Sequence, residues 1–164
     1  MKAGTEDKTK YIAIKRTSDN KIIAQALEIL STRLKKQGEI ISSPKSLIDY
    51  LRIYLSEQDN KREHFGLVYL TAKNSVIDTQ ILQSGTIDQT AVYPREIARH
   101  SLNSGAVSVI LFHTHPSGDP SPSGHDSSLT AALKTALAVL NIAIHDHIII
   151  ADNGYYSFAE NNTL

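Results

Sequence analysis

Val107 to Phe112 is an almost continuous apolar run, and it ends directly on His113-Thr114-His115-Pro116. An unbroken apolar stretch of that kind reads as a strand covered on both faces. A chain carrying it needs apolar layers above and below, which predicts an α/β fold, a mixed sheet flanked by helices. Residues i and i+2 of an extended chain share a face, so His113 and His115 can aim both imidazoles at one ion. A loop rich in Pro, Gly and Ser follows, then Asp126, a carboxylate able to complete three protein ligands. Three ligands with one open position describe a catalytic zinc site, whereas a structural zinc usually has four.

The rest of the chain supplies the layers. Ile22, Ala26, Leu30 and Leu34 recur every four residues, predicting an amphipathic helix that stops near Gly38. Ser43-Pro44 gives an N-cap and first-turn proline to a second helix, with Leu47, Leu51 and Leu55 on one face. Phe65 to Leu70 and Val76 to Leu82 read as strands joined by a turn at Lys73-Asn74-Ser75. Pro94 opens a helix to about Leu102. Leu129 to Leu140 is helical, with Ser123 a plausible N-cap, and Ile142 to Ile150 and Tyr155 to Phe158 are strands.

A chain of 164 residues fits one domain with a real core. Residues 1–18 are expected to be irregular, 19–60 to form an N-terminal helical extension, and 61–164 to form the domain that carries the histidines. With 17 basic and 17 acidic residues the formal charge is zero, which offers no bulk electrostatic reason to bind nucleic acid. The absence of cysteine removes disulfides, thiolate zinc sites and thiol nucleophiles. No stretch approaches a membrane span, and Met1 to Lys10 has no apolar signal region, so no membrane association and a cytoplasmic location are expected.

Each element of the constellation has a plainer reading beside it. Two histidines on one strand face can serve packing alone. The loop adds weight, because Pro116, Pro120 and Pro122 stiffen the chain that delivers Asp126. Ser123-x-x-Asp126 also has the form of a capping box, and a carboxylate so fixed in a first helical turn is compatible with ligation. His145-Asp146-His147 is a rival cluster, but nothing nearby offers a rigid loop or a third ligand, and a structural role apart from the site is favoured, with Asp146 and His147 hydrogen-bonding within the fold. His125 is expected to face solvent, His64 to point away from Glu63, and Tyr155-Tyr156 to form a packed rim. The deaminase pattern and His-Glu-x-x-His are absent, and no phosphate-binding glycine loop occurs.

His113-Thr114-His115-Pro116, then six residues, then Ser123-Gly124-His125-Asp126 matches the signature of the JAMM (JAB/MPN) metalloprotease superfamily. The stretch His113 to Ser123 resembles the RadC family within it. So do Ser84-Gly85-Thr86, Val92-Tyr93-Pro94-Arg95-Glu96, Asp146-His147-Ile148-Ile149 and Tyr156-Ser157-Phe158, in that order. The resemblance covers roughly Glu63 to Leu164. RadC sequences usually have Asn where this chain has Thr114, a position that is not a ligand, and little consequence is expected.

The resemblance implies a JAMM/MPN-type sheet and zinc held by His113, His115 and Asp126. It implies that Ser123 donates a hydrogen bond to the oxyanion of a tetrahedral intermediate. It also gives Glu63, otherwise readable as a solvated charge beside Lys61 and Arg62, the task of activating the metal-bound water. The expected activity is a zinc-dependent hydrolase acting on a peptide or isopeptide-linked substrate. The alternatives are a DNA-repair-associated or DNA-binding protein without peptidase activity, and an inert MPN interaction module. The first sixty residues lack the Gly-containing hairpin of the DNA-binding region that often precedes this domain, and the intact ligand set speaks against an inert module.

Overall fold

In the computed structural model, which describes residues 19–26, 28–29, 44–85 and 92–164, the apolar run becomes the central strand of a five-stranded mixed sheet. Helix α1 occupies residues 19–26 and 28–29, and α2 spans Pro44–Leu55. Then come β1 (Glu63–Leu70), β2 (Val76–Gly85), α3 (Pro94–Ser104), β3 (Ser108–Thr114), α4 (Gly124–Ala138), β4 (Ala143–Ala151) and β5 (Gly154–Ser157). The strand order is β2-β1-β3-β4-β5. β1 is antiparallel to β2 and β3, β3 and β4 run parallel across α4, and β5 returns antiparallel. The continuation of the first helix beyond residue 29, its Gly38 stop and the Ser43 cap lie outside the described residues, as do residues 1–18.

Strand alternation sorts the core into two layers. Val68, Leu70, Ile110, Phe112, Ile148 and Ile150 pack with Leu47, Ile48, Tyr50 and Leu51 of α2. Phe65, Leu67, Tyr69, Val109 and Leu111 face the other way, onto Ile97 of α3 and Leu133 and Leu137 of α4. Ser108 to His113 are all buried, as the unbroken apolar run predicts. Residues 44–55 fall in the span expected to be an extension, yet their apolar face closes the sheet's second side. The Leu47/Leu51 spacing required an apolar partner, and the sheet is that partner.

Gly66 marks the tightest approach. A Cβ there would collide with the Phe112 ring and the Gln80 carbonyl. β2 runs on to Gly85 past the expected Leu82, with bulges at Ile77 and Leu82 where β1 has no matching residue. α4 begins at Gly124, well before the apolar Leu129, because its polar first turn is held by a cap. Among the described residues no helix is long and apolar enough to cross a membrane.

Candidate metal centre

Three elements converge at one end of the sheet. His113 is near the end of β3, and β1, being antiparallel, begins at that end with Glu63. Phe65 pairs with His113, and Glu63, two residues earlier, shares its face. α4 packs on that same face and starts there, so Asp126 in its first turn meets the histidines.

The geometry is close. His113 Nε2 and His115 Nε2 are 2.9 Å apart, and Asp126 Oδ1 and Oδ2 lie 3.3 Å and 3.6 Å from them respectively. One ligand atom from each of the three residues falls within 4.8 Å of the others, a cluster that could hold a metal ion. The donor chemistry fits one. His115 Nδ1 faces the Asp119 carbonyl at 2.9 Å, and a carbonyl only accepts, so in the neutral ring the proton sits on Nδ1 and Nε2 presents a lone pair. An uncharged acceptor, a second imidazole nitrogen and a carboxylate, all turned to one point, match the ligand set of divalent transition metals. Glu63 lines the same small pocket as His113 and Asp126, with Phe65 and Leu129 in its walls and exposed His125 at its edge. A larger cleft of about 340 Å³ adjoins the other side of His115, bordered by Arg52, Gln58, Thr114, Pro116 and Asp152.

Asp126 is a cap and a candidate ligand at once. Ser123 N and Oγ donate to its Oδ2 at 2.7 Å and 2.6 Å, while Ser123 Oγ accepts from the Asp126 amide at 3.1 Å, a complete capping box. Burial alone would raise its pKa, but the His113 and His115 rings, which face it with Nε2 when protonated, and the Ser123 hydrogen bonds hold the carboxyl far below the ordinary carboxylate range. The Asp126 contact raises His115 above the usual histidine value, against the opposing effect of burial.

The proline-rich loop supports His115 through its backbone. His115 N donates to the Ile150 carbonyl at 2.9 Å, and the Asp119 carboxylate accepts from Ser121 N at 2.9 Å, holding the turn that brings the Asp119 carbonyl to the ring. Gly118 sits at φ +83°, a left-handed conformation that favours glycine. Thr114, which stands where RadC sequences usually have Asn, bridges the chain on both sides of Glu63. Its Oγ1 accepts from His64 N at 3.0 Å and donates to the Arg62 carbonyl at 3.4 Å. His64 itself turns away from Glu63, as expected, with its ring between Ser84 Oγ and the Asp59 carbonyl.

The segment His145 to His147 needs a correction. Asp146 has the structural role foreseen, accepting from Ser157 Oγ at 2.6 Å, His147 N at 2.7 Å and Ala159 N at 2.9 Å. His145 meets Asn74 Oδ1 at 3.1 Å. His147, however, is not separate from the centre: its Nε2 lies 2.8 Å from His113 Nδ1 and its Nδ1 2.6 Å from Thr130 Oγ1. Ile144 pairs with Val109 and Asp146 with Ile110, so the chain bulges at His145. That extra residue turns His147, in place of Asp146, toward α4. Burial holds the His147 imidazole well below the ordinary histidine range. Thr130 was discoverable, since Asp126, Thr130, Leu133 and Leu137 form the buried helical stripe of α4. Tyr156 packs edge-on against Phe158, consistent with a rim.

The chain matches the profile of the RadC-like JAB domain over residues 41–163. It belongs to that family. This RadC-like JAB domain is 36% identical to the UPF0758 protein YkfG of Escherichia coli strain K12 over 146 residues, which cover 89% of the chain and 91% of YkfG. It is 47% identical to a UPF0758 protein of Thiobacillus denitrificans over 123 residues, 75% of the chain and 54% of that relative. Identity to a UPF0758 protein of Janthinobacterium is 40% over 141 residues, 84% of the chain and 62% of the relative. The RadC-like chain thus spans nearly all of YkfG but only 54% and 62% of the other two.

Proposed function

We propose that this RadC-like domain is a metal-dependent hydrolase of the JAMM type, cleaving an amide as a peptidase or isopeptidase, with zinc on His113, His115 and Asp126. The observation that carries it is the meeting of two imidazole Nε2 atoms at 2.9 Å beside the Asp126 carboxylate, with His113 and Asp126 in a pocket that Glu63 also lines. Two unprotonated nitrogens that close repel unless a proton or a metal ion stands between them. A bound zinc ion would supply Lewis acidity toward the substrate carbonyl and lower the pKa of water toward neutrality.

The protein's own groups divide the remaining work. Glu63, at the start of β1, takes the proton from the attacking water and returns it to the leaving amine. Thr114 holds the peptide groups that flank it. The Ser123 hydroxyl donates to Asp126 Oδ2 at 2.6 Å and can turn that proton to the developing oxyanion while its oxygen still accepts from the Asp126 amide. The cleft beside His115 gives room for substrate residues flanking the scissile bond.

The test is a peptide and isopeptide library screened with the zinc-loaded protein against Glu63→Gln. The variant should keep its zinc and lose turnover by about 100-fold or more, the scale of general acid–base catalysis. Equal turnover in the two proteins would remove Glu63 from the chemistry. A purified protein that takes up no zinc would remove the hydrolase reading itself.

A further inference from the structure

We propose that His147, with Thr130 behind it, is a positioning residue that fixes the ring proton of His113 on Nδ1 and so aims the lone pair of Nε2 at the metal position. The proposal rests on the metal reading of His113, His115 and Asp126, and the direction of each hydrogen bond follows from what its partner can do. The Thr130 hydroxyl donates to the Asp126 carbonyl at 2.6 Å, which can only accept. Its single proton being used there, Thr130 Oγ1 must accept from His147 Nδ1–H, 2.6 Å away. A neutral imidazole has one donor and one acceptor, which leaves His147 Nε2 to accept. His113 Nδ1, 2.8 Å from it, is therefore the donor, and His113 Nε2 is left unprotonated toward His115.

Among the described residues, no other hydrogen-bonding group meets the His147 ring. The residue is 0% exposed, Phe158 stacks on it with centroids 4.9 Å apart, and Phe65 meets it edge-on at 6.1 Å. A doubly protonated ring in that enclosure would be a buried charge. Its second proton would also reverse the bond to His113 and place a hydrogen on the ligand nitrogen. The relay starts and ends on candidate ligands, His113 of β3 and the Asp126 backbone of α4, and passes through a residue of β4 that ligates nothing.

Thr130→Val preserves shape and removes the acceptor. His147 Nδ1 then faces an apolar methyl, the proton is better placed on Nε2, and the bond to His113 reverses. The experiment measures zinc affinity by chelator competition, and the imidazole ¹⁵N shifts of the metal-free protein above neutral pH. Wild type and Thr130→Ser should show His113 protonated on Nδ1. Thr130→Val and His147→Leu should lose that signature and bind zinc about 10- to 100-fold more weakly, the range for groups that orient a metal ligand. His147→Gln, whose amide oxygen can accept from His113, should recover most of the affinity. Thermal unfolding of the metal-free variants separates this from loss of fold. An unchanged His113 signature and affinity in Thr130→Val overturns the proposal. If wild type binds no zinc, the metal reading fails, and the ¹⁵N shifts still decide the relay.

Discussion

Asp126 joins a helix cap and a proposed metal ligand in one side chain, and the two can be separated by substitution. Asp126→Asn keeps an oxygen for the Ser123 amide, so it should retain the cap and lose only the metal-free stability tied to the carboxylate's charge. Asp126→Ala should be less stable than Asp126→Asn by about 1 kcal/mol, the usual worth of a cap. Both should fall from about one bound zinc to none, as read by metal analysis after gel filtration. The pH dependence has a definite sign. His115 is raised above 6.5, so its contribution to the metal-free fold is complete below that value and is lost as pH rises through the folded pKa. Asp126 is depressed below 3.8, so its contribution holds above that value and is lost only in strong acid. Urea unfolding of metal-free protein should therefore show greater stability at about pH 5.5 than at about pH 8.5 from this pair, while zinc affinity moves oppositely as protons leave the ligands. The candidate ligands were legible as a cluster because they stand in one stretch with chemical types that few other tasks require. Thr114 and His147 were not, since their roles depend on which backbone or ring lies opposite, and a linear pattern carries no cross-strand register.

At the scale of elements, the strongest local signals came true where tertiary contact agreed with them. Pro94 sits at the first turn of α3, and Gly105 ends that helix at φ +69°. α4 shows both its Ala/Leu-rich half and its Ser123 cap in the sequence, and the polar turn between them is held by Ser123 and Asp126, where hydrophobic periodicity is silent. β2 ends at Gly85, where Ser84-Gly85 signals a stop, while bulges at Ile77 and Leu82 break its period of two. The β1–β3 interface depends on a missing side chain. Gly66→Ala should lower the urea midpoint by an amount equivalent to about 1–3 kcal/mol without altering the m-value, since the new methyl meets the Phe112 ring and the Gln80 carbonyl. Circular dichroism at increasing urea measures it.

Across the whole molecule, an α/β class was readable from the alternation of strands and helices and from one strand apolar on both sides. The strand order was not, because it rests on α4 carrying the chain over to a parallel β4 and on β1 pairing with a strand nearly forty residues away. That arrangement has a consequence for the denatured state. His113, His115 and Asp126 belong to one short stretch, so an unfolded chain retains a crude chelator, while Glu63 and His147 join it only on folding. Zinc should accordingly stabilise the protein by less than RT ln(1 + [Zn]/Kd) computed from the native Kd, a shortfall visible in denaturation midpoints across a zinc titration. The same residual affinity would let a refolding chain take up its ion early, tying the β3–α4 loop before the distant strands have paired.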